Sequence, residues 1–357
     1  MSRSIVLIVV FALSSVAGHE ASLPAQTPPA RVISLVPAVT EILFAIGAGG
    51  RVVAVSSFDR FPPEVDRLPR VGALLDPDVE RILSLRPDLV VVYRSQADLL
   101  AQLKRAGIAP FVYAHGGLRD VTTTIRHLGD RLGLSSRAAQ VSSEIESRIG
   151  AVRARASGES RPRALVILGR DPFALRGMFA SGGTGFIHDM VTAAGGDNVF
   201  ADLQRESIQV TTELLIARRP DVILELRADP LDAATEAKEI RAYAPLASVP
   251  AVQRGRVHII ADPRTVIPGP RVGEGVELLW QALHGNRRSG DRADRGSRFG
   301  VRCPLSAAAR LGSVRACDDA RRTQHVEHVR TQRSTFALRT PHAAPVRARA
   351  RSLKPEA

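Results

Sequence analysis

Apolar and polar positions follow two different periods along residues 31–285, and these periods predict the secondary structure. Short continuous apolar runs predict buried strands, whereas apolar residues three or four positions apart predict helices. The strands are predicted at residues 31–36, 51–56, 88–93 and 109–113, and again at 163–169, 221–225 and 255–260. Strands that alternate with helices in this way indicate parallel sheets of βα units.

A longer helical pattern occupies the middle of the chain. Apolar side chains recur there at helical spacing, at Leu128, Leu132, Leu134, Ala138, Val141, Ile145 and Ile149, with Gly133 as the main interruption. Such a helix between two α/β units is a rigid connection. We therefore predict an α/β protein with two doubly wound lobes, residues 31–120 and 161–285, joined by a single long backbone helix within residues 121–160.

One segment occurs twice, 133 positions apart. Residues 80–91 and 213–224 carry Glu, Arg, Pro and Asp at identical offsets, and each copy predicts a short helix that ends before a proline and is followed by a buried strand. A repeat of this length corresponds to a lobe and is too long for a solenoid unit. Each lobe thus presents a glutamate, Glu80 or Glu213, at the start of the same helix, which suggests a docking receptor more than an enzyme.

The amino-terminal residues have the pattern of a secretory signal peptide, predicted over residues 1–18. Arg3 precedes an apolar run from Ile5 to Val16, which is shorter than the roughly 20 residues that a membrane-spanning helix needs. No cysteine follows the run, so a lipoprotein anchor is not predicted. The pattern predicts export to a periplasm.

The net charge of +13 is concentrated in the last part of the chain. Residues 286–357 contain 17 Lys or Arg and 6 Asp or Glu, whereas the rest of the chain contains 32 and 30. The body is therefore nearly neutral, which argues against nucleic acid as a partner. The Arg-rich tail lacks apolar periodicity and is predicted to be disordered. Its Cys303 and Cys317 provide no disulfide framework for the body.

Several stretches of residues 31–285 together resemble the iron-complex/cobalamin class of periplasmic substrate-binding proteins that serve ABC importers. The matching stretches are residues 31–43, Arg70-Val71-Gly72, residues 80–91, 194–200 and 210–213. The resemblance implies two α/β lobes, one backbone helix and a ligand cleft between the lobes with limited hinge motion. It also implies that Glu80 and Glu213 contact arginines of an ABC permease in the inner membrane.

Candidate ligand-binding residues lie next to predicted strand ends, where open α/β sheets bind ligands. They are Ser57, Phe58, Arg60, Leu74, Tyr93 and Arg94 in the first lobe, and Arg170, Phe173, Ser207, Asp262, Arg264 and Thr265 in the second. Phe58 and Tyr93 would supply stacking area, and Arg60, Arg94, Arg170 and Arg264 would contact polar or anionic ligand edges.

The ligand class follows from the resemblance. Phe58 and Tyr93 match aromatic positions of the cobalamin receptors, although Leu74 and Ser207 stand where tryptophans are expected. Ala73 occupies the position of the tyrosine ligand in the haem-binding branch. We therefore expect a monomeric receptor for a corrinoid or related metal chelate, without a resident cofactor or metal. A ferric siderophore or haem is the alternative ligand.

Other chemistries have weaker signals. The loop Ser181-Gly-Gly-Thr-Gly185 lacks the lysine and the spacing of a nucleotide-binding loop. His115, His188 and His258 with Asp262 are the formal candidates for a metal site, but they show no ligand spacing. No nucleophile motif supports an enzyme, and none is predicted.

Overall fold

A computed structural model describes residues 27–285 of the chain. The predicted signal peptide and the predicted Arg-rich tail lie outside these residues. Within them, no helix combines the length and the apolar character needed to cross a bilayer.

The first lobe is built on a four-stranded parallel sheet. Its strands are β1 (Val32–Ser34), β2 (Val52–Val55), β3 (Leu89–Tyr93) and β4 (Ala109–Tyr113), in the order β2-β1-β3-β4. Helices α1 (Pro37–Ala45), α2 (Val79–Ser84) and α3 (Ala97–Arg105) connect them. The central strands β1 and β3 are buried except at Tyr93, as expected for continuous apolar runs in a parallel sheet.

The connecting region holds two helices, not the single one predicted over residues 121–160. Helix α4 (Leu118–Leu132) and the 22-residue helix α5 (Ser135–Ala156) are separated at Gly133, whose left-handed φ of 68° ends α4. The two helices pack together closely, because a Cβ on Gly129 would lie 2.3 Å from that of Ala138. Arg126 and Glu146 pair across them at 2.7 Å.

The second lobe contains a mixed sheet. Its strands are β5 (Arg163–Gly169), β6 (Met178–Ser181), β7 (Asp197–Asn198), β8 (Ser207–Val210), β9 (Val222–Arg227) and β10 (Val257–Ala261). The order is β10-β9-β5-β6-β8, with β7 beside the start of β5. Strand β6 is antiparallel to both neighbours, which corrects the expectation of a purely parallel sheet. Helices α6 (Phe186–Ala193), α7 (Thr212–Arg218), α8 (Ala233–Arg241), α9 (Pro250–Gln253) and α10 (Val272–His284) complete the lobe.

One hydrophobic core continues from lobe to lobe. It contains buried residues of β1 and β3, then of α4 and α5, and finally of α6, β9 and α10. A smaller cluster lies within each lobe. The lobes are therefore packed together through helices, which fits the limited hinge motion that the sequence resemblance implies.

The repeated segment forms the same joint in both lobes. In the first lobe, Asp88 Oδ2 accepts a hydrogen bond from the backbone N–H of Arg31 at 2.9 Å, and the Arg31 carbonyl accepts one from the Asp88 N–H. The Arg31 guanidinium also donates to the Leu85 carbonyl at the end of α2, at 2.7 Å. The aspartate and the arginine thus fix the helix end to the first strand of the sheet.

The second lobe reproduces these bonds one by one. The backbone N–H of Arg163 donates to Asp221 Oδ2 at 3.2 Å, and the Asp221 N–H donates to the Arg163 carbonyl. The Arg163 guanidinium donates to the Arg218 carbonyl at 2.7 Å. Arg86 and Arg219 adopt left-handed φ angles of 46° and 47° before their prolines. The repeat therefore specifies a structural joint in addition to any surface feature.

A buried ion pair crosses between the lobes. Glu41 of α1 is 3% exposed, and both its carboxylate oxygens accept hydrogen bonds from the Arg271 guanidinium, at 2.9 and 2.6 Å. The carbon of that guanidinium lies 3.8 Å from the ring centre of Phe61. Burial raises the pKa of Glu41, although Arg271 opposes the shift. This pair holds α1 of the first lobe against the start of α10 in the second.

Asp59 is a second fully buried carboxyl group near this pair. Its Oδ2 accepts hydrogen bonds from the backbone N–H and the hydroxyl of Ser56, at 2.9 and 2.6 Å. The Arg70 guanidinium donates to the backbone carbonyls of both Ser56 and Asp59. Burial raises the pKa of Asp59 despite the hydrogen bonds from Ser56 and Thr40.

Removing the cationic partner of Glu41 should destabilise the protein. With Arg271→Met the carboxylate is buried without compensation, and we expect a loss of about 3 kcal/mol in the free energy of unfolding, measured by urea denaturation. Adding Glu41→Gln should restore part of this loss. The control is Arg126→Met, which breaks a solvent-exposed pair and should cost less than about 1 kcal/mol. Equal losses in the two single variants would contradict the role of the inter-lobe pair.

Because the pKa of Asp59 is raised, we predict that Asp59→Asn increases the free energy of unfolding by an amount that depends on pH. The folded protein keeps the Asp59 proton over a pH range in which the unfolded chain has released it, so this group lowers stability as the pH rises through that range. The variant lacks this effect. Its stability relative to the parent protein should therefore increase as the pH rises above the ordinary carboxyl pKa of about 4, then become constant. Urea denaturation at several pH values measures the difference, and a difference that shrinks with pH would contradict the assignment.

Candidate functional site

The inter-lobe ion pair joins a segment that follows a strand of the first sheet to one that follows a strand of the second. Glu41 lies on the helix that directly follows β1, and Arg271 follows the end of β10. The carboxyl ends of the strands are therefore directed toward the junction of the lobes. This is the edge at which open α/β sheets bind ligands, and the candidate cleft lies there.

Aromatic rings are clustered at the carboxyl ends of β3 and β4. The Tyr93 ring stacks on the His115 ring, with centroids 5.8 Å apart. Tyr113 contacts both edge-on, at 5.9 Å from Tyr93 and 5.1 Å from His115. Tyr93 was predicted from the sequence as a ligand contact and Tyr113 was not, while His115 was considered only as a metal ligand. The signal for this cluster was the equivalent position of the two tyrosines as the last residues of neighbouring strands.

The loop after β2 carries three of the predicted first-lobe residues. Ser57 and Arg60 are exposed, and the Arg60 guanidinium donates to the Ser57 carbonyl at 2.9 Å. Phe58 is half-buried, and its backbone N–H donates to the Ser56 hydroxyl. The loop therefore presents one aromatic ring and one cation beside the fully buried Asp59.

A buried glutamine joins Leu74 to the aromatic cluster. Gln96 Nε2 donates to the Leu74 carbonyl at 3.1 Å, while its Oε1 accepts from the backbone N–H of Tyr93 at 2.9 Å. Leu74 is half-buried and Arg94 is exposed. Gln96 was not predicted from the sequence, because nothing in its local pattern distinguishes it from an ordinary helix-start residue. It fixes two predicted ligand-facing segments relative to each other.

Arg170 is not available to a ligand, which corrects the sequence prediction. Its side chain is 0% exposed and pairs with Glu225 at 2.9 Å and with Glu239 at 2.7 Å. Arg227 pairs with the same two carboxylates, and the Tyr243 hydroxyl donates to Glu225. Burial alone would lower the pKa of Arg170, but Tyr243 and the two glutamates keep it above its usual value. The guanidinium is thus the centre of a buried, fully paired cluster.

The same cluster holds Phe173 at the surface. Glu239 Oε2 accepts a hydrogen bond from the backbone N–H of Phe173 at 3.0 Å, and Arg170 donates to the carbonyls of Asp171 and Ala174. Phe173 has a φ of 56° and leaves 53% of its surface exposed. An exposed phenylalanine on a loop fixed by buried charges is consistent with the predicted ligand contact.

Asp262 and Arg264 form an ion pair with each other. Their side chains pair at 2.6 Å, and Arg264 also pairs with Glu274 of α10 at 2.9 Å. Burial alone would raise the pKa of Asp262, but the hydrogen bonds from Arg264 hold it below its usual value. Thr265 is buried and donates to the Asp262 carbonyl. The charge of Arg264 is therefore balanced within the protein, while its side chain stays 32% exposed, and its contact with a ligand stays a prediction.

Three weaker sequence signals have structural explanations. The glycine loop after β6 packs closely against the backbone of residues 201–205. A Cβ on Gly182 would lie 2.1 Å from the Arg205 carbonyl oxygen, and one on Gly183 would lie 2.2 Å from that of Ala201. Ser207 is the first residue of β8 and pairs with Ser181, so it does not follow a strand end as predicted. Within residues 27–285, His115, His188, His258 and Asp262 form no cluster that could hold a metal ion.

Glu80 and Glu213 are both exposed, each in the first turn of its helix. The helices begin alike, since Asp78 accepts from the Arg81 N–H and Thr211 accepts from the Leu214 N–H. Among the ion pairs of residues 27–285, none includes either glutamate. Hydrogen bonds from Thr211, its own backbone and Thr212 lower the pKa of Glu213, which keeps this carboxylate charged.

Proteins of known sequence or structure share this architecture. The chain is 28% identical over 264 residues to YvrC of Bacillus subtilis, described as an ABC transporter substrate-binding lipoprotein, and the match covers 72% of this chain and 80% of the relative. It is 33% identical over 196 residues to the vitamin B12-binding protein of Salmonella typhimurium, covering 54% and 71%. The apo structure of the periplasmic haem-binding protein RhuT from Roseiflexus sp. RS-1 superposes with a TM-score of 0.60 at 29% identity, covering 71% and 97%.

The family model described as "Periplasmic binding protein" matches residues 32–263, which include both sheets and the helices between them. The two-lobed fold and the relatives agree with this match. The chain therefore belongs to the periplasmic binding protein family and is a substrate-binding protein of an ABC transporter.

Proposed function

We propose that this protein is a periplasmic receptor that captures a corrinoid between its lobes and delivers it to an ABC permease in the inner membrane. The observation that carries the ligand assignment is the aromatic surface at the carboxyl ends of the first-lobe strands. Phe58, Tyr93 and His115, all half-buried, provide flat ring area of the kind that a large macrocycle can contact, and the buried Tyr113 packs edge-on against Tyr93 and His115. Phe173, which is exposed on the second lobe, would add a ring contact from the other side of the cleft. The similarity to a vitamin B12-binding protein also supports a corrinoid as the ligand.

The charges near the cleft support a ligand of low net charge. Of the four arginines predicted to contact ligand, Arg170 and Arg264 are balanced by carboxylates of the protein. Arg60 and Arg94 remain exposed, both in the first lobe. A corrinoid, whose periphery consists largely of neutral amides, fits this distribution better than a strongly anionic ferric siderophore, which requires several unpaired cations.

Haem is the second candidate ligand. The similarity to a haem-binding structure favours it, and so do Tyr93 and His115, whose side chains are of the types that ligate haem iron. The alanine at position 73, where haem-binding relatives are expected to carry tyrosine, argues against it. Direct comparison of the two macrocycles therefore tests the assignment.

The docking role of Glu80 and Glu213 is supported by what the other repeated residues do. The arginine, proline and aspartate positions of each copy lie at the helix end and strand start, where the aspartate forms the joint with Arg31 or Arg163. The glutamate is exposed and forms no ion pair in residues 27–285. A carboxylate at the same place on each lobe is suited to hydrogen bonding with permease arginines, which would fix orientation more than affinity.

We also propose that the mature protein is a monomer in the periplasm, a location that the periplasmic binding protein family favours.

Cyanocobalamin should raise the thermal stability of the full-length protein. At a concentration about 100 times Kd, binding contributes about 2.7 kcal/mol, which corresponds to a rise in Tm of about 5 °C or more. Haemin and ferrichrome are tested in parallel. A rise with haemin alone would favour the second candidate, and no rise with cyanocobalamin at high excess would exclude the corrinoid assignment.

Tyr93→Ala should weaken cyanocobalamin binding about tenfold, whereas Tyr93→Phe retains the ring and should bind nearly as the parent does.

Neutralising both docking glutamates should separate binding from delivery. The variant Glu80→Gln/Glu213→Gln should bind ligand as the parent does, but it should stimulate the ATPase of its reconstituted ABC transporter several-fold less, because the charge-assisted hydrogen bonds are lost. The control Glu144→Gln/Glu159→Gln makes the same charge change on α5 and the loop after it. Full stimulation by the docking variant, or loss of ligand binding, would contradict the role of these glutamates.

A further inference from the structure

The repeated segment places a second matched pair of side chains on the surface. Leu83 and Ile216 occupy equivalent positions of the two copies, 133 residues apart. They are 36% and 43% exposed. Each follows its exposed glutamate by three positions on a single helix, α2 or α7. The two copies therefore match in an exposed aliphatic side chain as well as in an exposed carboxylate.

Helix geometry places each aliphatic side chain beside its carboxylate. Residues three apart on an α-helix are neighbours on one face, so Leu83 adjoins Glu80 and Ile216 adjoins Glu213. The intervening Ile82 and Leu215 are completely buried and hold the opposite face of each helix in the core. The exposed face thus carries one carboxylate and one aliphatic group in both lobes.

Core packing does not account for this exposure. Single exposed aliphatic residues are common on protein surfaces, but they are not expected at the same position of two lobes beside the same carboxylate. The other large apolar residues exposed in residues 27–285 lie in different surroundings. Phe61 is covered by the Arg271 guanidinium and Phe173 belongs to the candidate cleft, while Leu75 and Val112 have no counterpart in the other lobe.

We propose that Leu83 and Ile216 are apolar contacts of the permease-docking surface, one beside each docking glutamate. This inference rests on the proposed docking role of Glu80 and Glu213. The partner that fits is a pair of periplasmic permease loops, each with an arginine or lysine next to a small apolar depression. When docked, the aliphatic side chain buries its apolar surface in the depression beside the ion pair. The glutamate sets orientation, and the aliphatic group adds affinity that is independent of salt.

Salt dependence separates the two contributions. The full-length protein is loaded with cyanocobalamin, and its binding to the permease complex in nanodiscs is measured by interferometry. The measurement is made at about 50 and 300 mM NaCl, because the screening of exposed charges differs strongly between these concentrations. Leu83→Ser/Ile216→Ser should raise Kd about tenfold at both salt concentrations and leave the ratio of the two values unchanged. Glu80→Gln/Glu213→Gln should instead remove most of the salt dependence.

Two further variants test the structural explanation. Val112→Ser removes an equally exposed aliphatic side chain on the edge strand β4 and should bind the permease as the parent does. Leu83→Ile/Ile216→Leu keeps the apolar surface and should restore binding. Circular dichroism and Tm verify that each variant is folded. Parent-like Kd values for the folded serine variant would overturn the inference, whereas an unchanged salt dependence in the glutamine variant would overturn the docking role itself.

Discussion

Glu41 and Arg271 form a buried ion pair whose partners belong to different lobes, and the arrangement of the cleft depends on it. A carboxylate removed from water is tolerated only while its cation remains in place, so α1 of the first lobe and the start of α10 in the second must stay in contact. Helix α10 in turn packs on α5 and α6, and the common core continues through these helices. The carboxyl ends of both sheets are thereby held toward one junction. A receptor built in this way presents preformed surfaces to its ligand.

The two lobes contribute unlike surfaces to that junction. The first lobe supplies aromatic rings together with two exposed arginines, Arg60 and Arg94. In the second lobe, Arg170 and Arg227 face two glutamates, and the cluster they form supports the loop that carries Phe173. Buried charge in the second lobe therefore stabilises the shape of a loop. The cationic character of the cleft comes mainly from one side.

Most of the fold could be predicted from the sequence because its strands are continuous apolar runs. Residues 109–113 and 163–169 were predicted as strands with the observed bounds, because each is a short and largely apolar run. Strands β6 and β8 are only four residues long, and their local pattern gives no direction, so the antiparallel β6 was not predicted. Gly133 was recognised as an interruption, but only its left-handed backbone shows that α4 ends there. The candidate site was harder to predict, because the pairing of Arg170 with Glu225 and Glu239 joins residues 55 and 69 positions apart.

The joint between helix and strand in the two lobes has a consequence for measuring motion in this protein. Arg31 with Asp88, and Arg163 with Asp221, connect α2 and α7 to the first strand of their own sheets by the same set of hydrogen bonds. Each short helix must therefore move with its sheet as a rigid unit. The separation between α2 and α7 consequently reports the angle between the lobes and is insensitive to local loop movement. Spectroscopic labels on the exposed faces of these helices would read lobe closure directly, and a permease that contacts both helices is sensitive to the same angle.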